Sequence, residues 1–255
     1  MGNIVINLDK CIGCSLCAKD CPAACIVVEN GKAKTFDQGC IGCGHCYSVC
    51  PQGAIQMTKY DCIEEPVTSM EEIDNEVLLK AMKSRRSTRQ FKNKEVEEEK
   101  IKKILEAGRY APTGANAQDV QFIVLGSKQD EAEKICVKLF RTGTKLGSVL
   151  MAFLRRVKIT DDFFFKGAPL VIVVTSRHEI NGGLASAYME IMANSLGLGV
   201  LYSGFFVGCT GLSARLRKII EVPKGHKVVS CMVMGYPAVK YKRIAPRKEA
   251  QVKIL

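Results

Sequence analysis

From residue 76 onward, apolar residues recur at intervals of three and four, the spacing that places them on one face of an α-helix. The run 77–82 predicts one amphipathic helix, and the run 101–108 predicts another. The positions that carry this spacing are Val77, Leu78, Met82, Ile101, Ile104, Leu105 and Gly108.

Three continuous apolar runs predict buried strands, because a strand covered on both faces loses the alternation of polar and apolar residues. They are Gln121–Gly126, Pro169–Thr175 and Lys227–Gly235. The largely apolar stretch Leu184–Leu196 predicts a helix that is central or lies at a subunit interface. Helices around a mixed sheet make an α+β domain with an α/β/α layering.

The longest uncharged run, Ile191–Ala214, is long enough to span a bilayer, but it contains five glycines, Asn194 and four Ser or Thr residues. It is therefore interpreted as a buried helix, a turn and a strand, and no membrane association is predicted. The first residues of the chain lack the basic stretch and long apolar core of a secretory signal, which favours a cytoplasmic protein.

The chain has 13 cysteines, most of them in the N-terminal segment that ends at Cys62. An odd number crowded at one end argues against a secreted disulfide scaffold and favours metal or cluster ligation. The crowded region is a repeat: Cys11–Pro22 reads CIGCSLCAKDCP, and Cys40–Pro51 reads CIGCGHCYSVCP. Both copies follow the pattern CxxCxxCxxxCP.

This spacing suits iron-sulfur cubes, because three cysteines at i, i+3 and i+6 hold one cluster while the fourth, followed by proline, ligates the other. Structural zinc is the alternative, since CxxC pairs also suit a tetrahedral zinc ion, but two complete runs are much more specific for clusters. The sequence predicts one 4Fe-4S cluster (cluster 1) on Cys11, Cys14, Cys17 and Cys50, and a second (cluster 2) on Cys40, Cys43, Cys46 and Cys21.

Asn30-Gly31 separates two short extended stretches between the cysteine runs, which predicts a two-residue β-hairpin. With these features, residues 1–60 resemble the small two-cluster bacterial ferredoxins. The polar, acidic segment 61–75, broken by Pro66, predicts a linker. A second domain is expected over residues 76–255.

The formal net charge of +11 would suit nucleic acid, an anionic membrane or an acidic protein partner. Two oxidised 4Fe-4S clusters with their thiolates, each carrying about −2, would reduce this charge to about +7. The basic residues are scattered, and no RNP, zinc-finger or basic-zipper pattern accompanies them. Nucleic-acid binding is therefore not predicted, whereas an acidic electron carrier stays a suitable partner.

Three segments of the second domain suit an anionic heterocyclic cofactor. Ser84–Arg89 gathers three guanidiniums and several hydroxyls that would hold a phosphate dianion, although the segment also suits a solvated basic turn. Ala111–Gln118 is a loop able to aim amides at a heterocycle, or a plain turn. Gly197–Gly204 has the small residues that the close approach of a flat ring needs, or that tight packing needs. Arg247-Lys248 could add cations to the phosphate site.

In order and spacing, these segments resemble the nitroreductase-like flavoproteins over residues 76–250. The family motif RRSxRxF stands as Arg85–Phe91, the loop PSxxNxQPW as Pro112–Val120, Gly-Tyr-Pro as Gly235–Pro237 and the closing Pro-Arg-Lys as Pro246–Lys248. The chain departs from the pattern at Asp119-Val120, which replaces the usual Pro-Trp.

The resemblance implies a homodimer with two interfacial FMN molecules, each with N5 as the reacting atom, so that no catalytic side chain is expected. The arginine motif and the C-terminal cations would hold the phosphate and ribityl chain. The loop around residue 114 would reach the flavin from the second subunit, and the backbone after residue 202 would lie at the reactive edge of the ring. The residues that the resemblance assigns to FMN are Arg85, Arg86, Ser87, Arg89, Pro112, Thr113, Gly114, Asn116, Ser203, Gly204, Arg247 and Lys248.

A flavin exchanges electrons singly or in pairs and a cluster exchanges one at a time, so their union in one chain suggests an internal electron path. The sequence predicts an FMN-dependent oxidoreductase that passes electrons through two 4Fe-4S clusters to FMN and on to a nitroaromatic, quinone or enone. The donor would be NAD(P)H or a carrier such as reduced ferredoxin. The alternatives are a redox relay or sensor without a small-molecule substrate and, less favoured, a nucleic-acid-binding protein with a structural cluster.

Overall fold

The computed structural model describes residues 3–36, 38–60, 65, 67, 72–145 and 158–255. The chain divides into two compact units. The first comprises Met1–Met70 and Thr113–Ala117, and the second comprises Glu71–Pro112 and Gln118–Leu255. The loop segment Thr113–Ala117 thus groups with the first unit, although the sequence assigns it to the second domain. Most of the expected linker, including Pro66, lies outside the described residues.

The first unit repeats a short helix and a strand pair, as the duplicated sequence requires. The outer pair joins β1 (Ile4–Ile6) to β4 (Ile55–Met57), and the inner pair joins β2 (Ile26–Glu29) to β3 (Lys32–Thr35); both pairs are antiparallel. The helices α1 (Leu16–Lys19) and α2 (His45–Val49) each carry the third cysteine of one run.

The predicted hairpin between the cysteine runs is confirmed. Asn30 and Gly31 both have positive φ, 50° and 73°, as a two-residue turn that follows the strand twist requires. The turn packs directly on the first cysteine run, because a Cβ atom added to Gly13 would lie 2.3 Å from the Gly31 carbonyl oxygen. Gly13 also has φ +68°, so the position requires glycine on two grounds.

The helices predicted in the second unit are confirmed, and α6 (Glu179–Ser195) begins before the predicted stretch. Asp74 caps the first of them by accepting hydrogen bonds from the amides of Glu76 and Val77. Three helices were not predicted: α5 (Gln129–Lys145), α7 (Gly204–Leu212) and α8 (Ala214–Ile219). In α7, three glycines obscure the helical spacing. The helices are α3 (Asn75–Ser84), α4 (Glu98–Arg109), α5 (Gln129–Lys145), α6 (Glu179–Ser195), α7 (Gly204–Leu212) and α8 (Ala214–Ile219).

The predicted strands β5 (Gln121–Val124), β6 (Leu170–Ser176) and β8 (Lys227–Gly235) are also confirmed. They join β7 (Gly199–Tyr202) in an antiparallel sheet of order β5-β6-β8-β7. Successive residues of β6 serve opposite faces of the sheet. Val171 and Val173 pack in one apolar cluster with α5, α7 and α8, while Ile172 and Val174 pack in the other with α4 and α6. The α/β/α layering follows from this two-sided burial.

Across the described part of the chain, no helix combines the length and apolar character that crossing a membrane would take.

Candidate functional site

The first unit contains two cavities, and each is lined by one of the predicted sets of four cysteines. One is lined by Cys11, Cys14, Cys17 and Cys50 together with apolar side chains. The other is lined by Cys21, Cys40, Cys43 and Cys46, with Cys25 beside them. The structure thus brings together both sets that the sequence predicts, and thiolates around a small, largely apolar space suit a 4Fe-4S cube.

Left-handed backbone in both cysteine loops lets three cysteines of one run line a common cavity. Gly13 and Ser15 have φ of 68° and 67°, and their counterparts in the second run, Gly42 and Gly44, have φ of 62° and 80°. Each loop then ends in a helical turn that carries the third cysteine. The local backbone of the two runs is therefore the same, apart from a serine at one of the four left-handed positions.

Backbone amides are directed at the cysteine sulfurs. The Ala54 amide donates to Cys50 Sγ at 3.3 Å, and its repeat counterpart, the Cys25 amide, donates to Cys21 Sγ at 3.2 Å. Such bonds stabilise the charge that a ligating thiolate and its cluster carry. Cys25 itself is a small buried side chain next to a ligand position, as the alignment with Ala54 indicates.

The two runs differ in the side chain that holds the carbonyl of the first cysteine. Lys32 Nζ donates to the Cys11 carbonyl at 2.7 Å and to the Leu8 carbonyl at 2.8 Å. Asn3 Nδ2 donates to the Cys40 carbonyl at 2.7 Å. Neither side chain was singled out from the sequence, although the alignment that pairs Cys11 with Cys40 also pairs Asn3 with Lys32.

The thiols of the cavities titrate differently. The pKa of Cys11 is lowered, chiefly by the Ala33 amide, which donates to its sulfur at 3.4 Å, and to a smaller extent by the charge of Lys32. Burial raises the pKa of the Cys46 thiol to about 11. A thiol releases its proton when it binds iron, so cluster assembly is expected to release protons.

In the second unit, the arginine motif lies alongside strand β7. Ser87 and Val200 form a parallel bridge, and the Thr88 amide donates to the Val200 carbonyl at 2.9 Å. A Cβ atom on Gly199 would lie 2.3 Å from Thr88 Oγ1, so this close approach requires glycine. Strand β7 leads directly into Ser203-Gly204. The motif expected at the phosphate therefore lies beside this strand, and the backbone expected at the ring lies at its end.

Arg85 is held by a carboxylate that the sequence analysis did not identify. Arg85 Nη1 donates to Glu190 Oε1 at 3.0 Å, and the Glu190 side chain is only 8% exposed. Glu190 also lies near Tyr202, whose pKa is raised by burial and by this carboxylate. The available signal was a single acidic residue within the apolar stretch Leu184–Leu196.

The remaining candidates for the phosphate site lie on exposed or half-buried backbone. Ser87 presents its carbonyl to the Tyr241 hydroxyl at 3.0 Å and to Arg89 Nη1 at 3.3 Å. Arg86 is half-buried. Arg247 and Lys248 are exposed and belong to the C-terminal segment whose Tyr241 hydroxyl bonds the motif.

In the loop that was expected to contact a heterocycle, the Asn116 side chain instead bonds a cysteine loop of the same chain. Asn116 Nδ2 donates to the Gly42 carbonyl at 2.9 Å and to the Ile41 carbonyl at 3.1 Å, within the first unit. Ala115, Asn116 and Gln118 all have positive φ, between 45° and 53°. The structure thus uses this carboxamide to hold the cysteine loop Cys40–Cys43.

Asp119, where the chain departs from the family pattern, anchors the start of helix α6. Its carboxylate accepts hydrogen bonds from Asn181 Nδ2 at 2.7 Å and from Ser176 Oγ at 2.9 Å, and also from the amides of Arg177 and His178. Burial by itself would raise the pKa of Asp119, but these bonds outweigh it and hold the pKa at about 2. A proline at this position could not provide this anchor.

Comparison with known proteins agrees with this geometry. The family model for the nitroreductase family matches residues 82–236, and the model for a 4Fe-4S dicluster domain matches residues 4–57. A protein of Methanothermobacter thermautotrophicus named NADH dehydrogenase/NAD(P)H nitroreductase is 28% identical over 170 residues, which cover 63% of this chain and 78% of the relative.

Solved structures share the fold of the second unit. A nitroreductase with bound FMN from Desulfitobacterium hafniense superposes with a TM-score of 0.59 at 24% identity, covering 71% of this chain and 100% of that one. Another with bound FMN, from Bacteroides fragilis, gives a TM-score of 0.57 at 24% identity, covering 69% and 98%.

The family matches, together with the α+β fold, identify an oxidoreductase with an N-terminal ferredoxin-like dicluster domain. The chain belongs to the nitroreductase family.

Proposed function

We propose that this protein is an FMN-dependent oxidoreductase that receives electrons on two 4Fe-4S clusters and passes them to FMN, which reduces a small organic acceptor. The observation that carries the proposal is the grouping of eight cysteines around two cavities in a chain of the nitroreductase family. The acceptor class is a nitroaromatic, a quinone or an enone, each of which takes up a hydride or electrons from a reduced flavin.

The FMN phosphate would lie against Arg85, Arg86, Ser87 and Arg89, since guanidiniums hold phosphate oxygens through paired, charge-assisted hydrogen bonds. The flat ring would lie over the backbone at Ser203 and Gly204, where a Cβ atom on Gly204 would meet nothing within 4 Å. The flavin, when bound, supplies the hydride and electron chemistry, and the chain binds and orients it. FMN in the solved structures of the same fold supports this assignment.

A homodimer is part of the proposal. On helix α6, Ile180, Leu184 and Tyr188 follow one another at intervals of four and are all exposed, so they form an apolar stripe along one face. A stripe of this kind on a helix whose opposite face is buried suits a second copy of the chain. The loop residues Pro112, Thr113, Gly114 and Asn116 would then reach the flavin of the partner. Arg247 and Lys248 would join the arginine motif at the phosphate and ribityl chain.

The electron donor can be identified by following flavin bleaching in anaerobic protein mixed with NADH, NADPH or reduced ferredoxin. The names of the relatives favour NAD(P)H, and the clusters favour a one-electron carrier. Cys14→Ala removes a ligand of cluster 1, and Cys25→Ala is the matched control, because Cys25 lines a cavity without belonging to either set of four.

If the clusters carry the electrons, Cys14→Ala slows bleaching by at least tenfold and Cys25→Ala leaves it unchanged. Equal, fast bleaching of both variants by a nicotinamide would contradict an obligatory path through the clusters. If no acceptor accelerates reoxidation of the reduced flavin under anaerobic conditions, the protein is a redox relay or sensor instead of a reductase.

A further inference from the structure

The two cysteine runs are almost identical in backbone, yet the side chains that hold them differ in charge. The carbonyl of the first cysteine accepts a hydrogen bond from Lys32 Nζ at 2.7 Å in one run and from Asn3 Nδ2 at 2.7 Å in the other. Positions 3 and 32 are equivalent in the repeat, in the same way as positions 11 and 40. The duplication thus places a cation beside one cluster site and a neutral amide at the equivalent point of the other.

Lys32 is fixed in this position. Its ammonium donates to two carbonyls of the same loop, those of Leu8 and Cys11, at 2.8 and 2.7 Å. The next residue, Ala33, donates its amide to Cys11 Sγ at 3.4 Å. One short segment of β3 therefore directs both a positive charge and a hydrogen-bond donor at the loop of cluster 1.

The residue that precedes the fourth cysteine of each run also differs in charge. Asp20 precedes the cluster 2 ligand Cys21, and its repeat counterpart, next to the cluster 1 ligand Cys50, is the uncharged Val49. Asp20 Oδ2 lies 3.2 Å from His45 Nδ1, and both side chains are about half exposed. His45, which partners this carboxylate, lies between two cluster 2 ligands and has Leu16 as its repeat counterpart, so the comparison of charges rests on positions 3 and 32.

A 4Fe-4S cluster takes up one electron without a proton, so its charge with four thiolates changes from about −2 to about −3. A nearby cation favours the more negative, reduced form, as do hydrogen bonds to the ligand sulfurs. We propose that Lys32 gives cluster 1 the higher reduction potential of the two, so that the first electron to enter the protein resides on the cluster held by Cys11, Cys14, Cys17 and Cys50. This inference rests on the proposed cluster ligands.

The test is a potentiometric titration of the anaerobic full-length protein with dithionite, followed by EPR of the reduced clusters. Lys32→Asn gives cluster 1 the residue that stands at the equivalent position beside cluster 2. We expect the higher of the two potentials to fall by at least about 59 mV, which is a tenfold change in a one-electron equilibrium, while the lower one stays constant; a fall of the lower potential alone would contradict the inference. Lys32→Gln retains a donor for the carbonyls without the charge and is expected to give the same fall.

The reciprocal variant Asn3→Lys is expected to raise the other potential, and the double exchange Asn3→Lys with Lys32→Asn to reverse the order of the clusters. Lys34→Asn is the matched control, because Lys34 lies on the same strand and its ammonium pairs with Glu29 at 2.8 Å. It removes the same charge without removing a contact to a cysteine loop.

Unchanged potentials in Lys32→Asn, or a shift no larger than that of Lys34→Asn, would overturn the inference. An equal shift of both clusters would also overturn it, since the charge would then act through the whole unit. Fewer than about eight irons per chain in the wild type would instead overturn the cluster assignment itself. Iron analysis therefore separates failure of the proposed function from failure of this inference.

Discussion

Arg85 Nη1 lies 3.0 Å from Glu190 Oε1, and this ion pair joins the arginine motif to the middle of helix α6 across 105 residues of sequence. Glu190 is buried, whereas the Arg85 side chain is 37% exposed. One end of the guanidinium is therefore fixed inside the protein while the rest stays accessible. A guanidinium held in this way is oriented before any phosphate binds.

Replacing Glu190 by Gln should weaken FMN binding, because the neutral amide no longer fixes Arg85. We expect the dissociation constant of FMN to rise by about fivefold to tenfold, which corresponds to about 1–1.4 kcal/mol. Titration of flavin-free protein with FMN, followed by flavin fluorescence, measures this change. Glu179→Gln is the control, since Glu179 begins the same helix and forms an exposed pair with Lys227. Equal affinities in the two variants would contradict a positioning role for Glu190.

Replacing Asp119 by Asn should destabilise the second unit in a pH-dependent way. The folded pKa of Asp119 is about 2, below its ordinary value of 3.8, so the carboxylate stabilises the fold fully above pH 4. That contribution, on the order of 1–2 kcal/mol, disappears as the pH falls from about 4 to about 2. Urea unfolding followed by circular dichroism measures the free energy of unfolding. The loss of this free energy in Asp119→Asn, relative to wild type, should therefore be largest near neutral pH.

Asp130→Asn serves as the control for this prediction, because Asp130 is an exposed carboxylate in the first turn of α5. The contrary result is a difference in unfolding free energy between wild type and Asp119→Asn that is the same at pH 3 and at pH 7. The ionised carboxylate would then not be what stabilises the start of helix α6.

Gly13→Ala should disrupt the site of cluster 1 much more than Gly42→Ala disrupts that of cluster 2. Both glycines have a positive φ, but the added methyl group would lie 2.3 Å from the Gly31 carbonyl oxygen in the first case and 3.6 Å from the Tyr60 hydroxyl in the second. We expect Gly13→Ala to lose about half of the bound iron, and Gly42→Ala to retain most of it. Iron and labile sulfide analysis of anaerobically purified protein distinguishes these outcomes. Equal iron contents would mean that the hairpin moves to accommodate the methyl group.

Leu184→Glu should separate the proposed homodimer, because it places a charge in the centre of the apolar stripe formed by Ile180, Leu184 and Tyr188. Light scattering coupled to size exclusion is expected to give a monomer that has also lost flavin. Val5→Glu, at an exposed apolar residue of the first unit, is expected to leave the mass unchanged. A dimer in both variants would show that another surface joins the subunits.

Much of the fold could be predicted because its signals are local. The two CxxCxxCxxxCP runs, the Asn30-Gly31 turn and the apolar runs of β5, β6 and β8 each act through neighbours in the chain. Helix α7 gave no such signal, since its three glycines interrupt the spacing and its burial comes from contact with β8 and α8 rather than from its own pattern.

Spacing along the chain specifies the duplicated cysteine runs, the hairpin between them, the main strands and the order of the family motifs. The side chains that support these features are brought to them only by the packed fold. Glu190 reaches Arg85, Asn181 reaches Asp119 and Lys32 reaches the Cys11 carbonyl across 105, 62 and 21 residues. Such partners are selected by burial and by the need to satisfy charged and polar groups in the folded chain, and neither condition exists before the elements have packed.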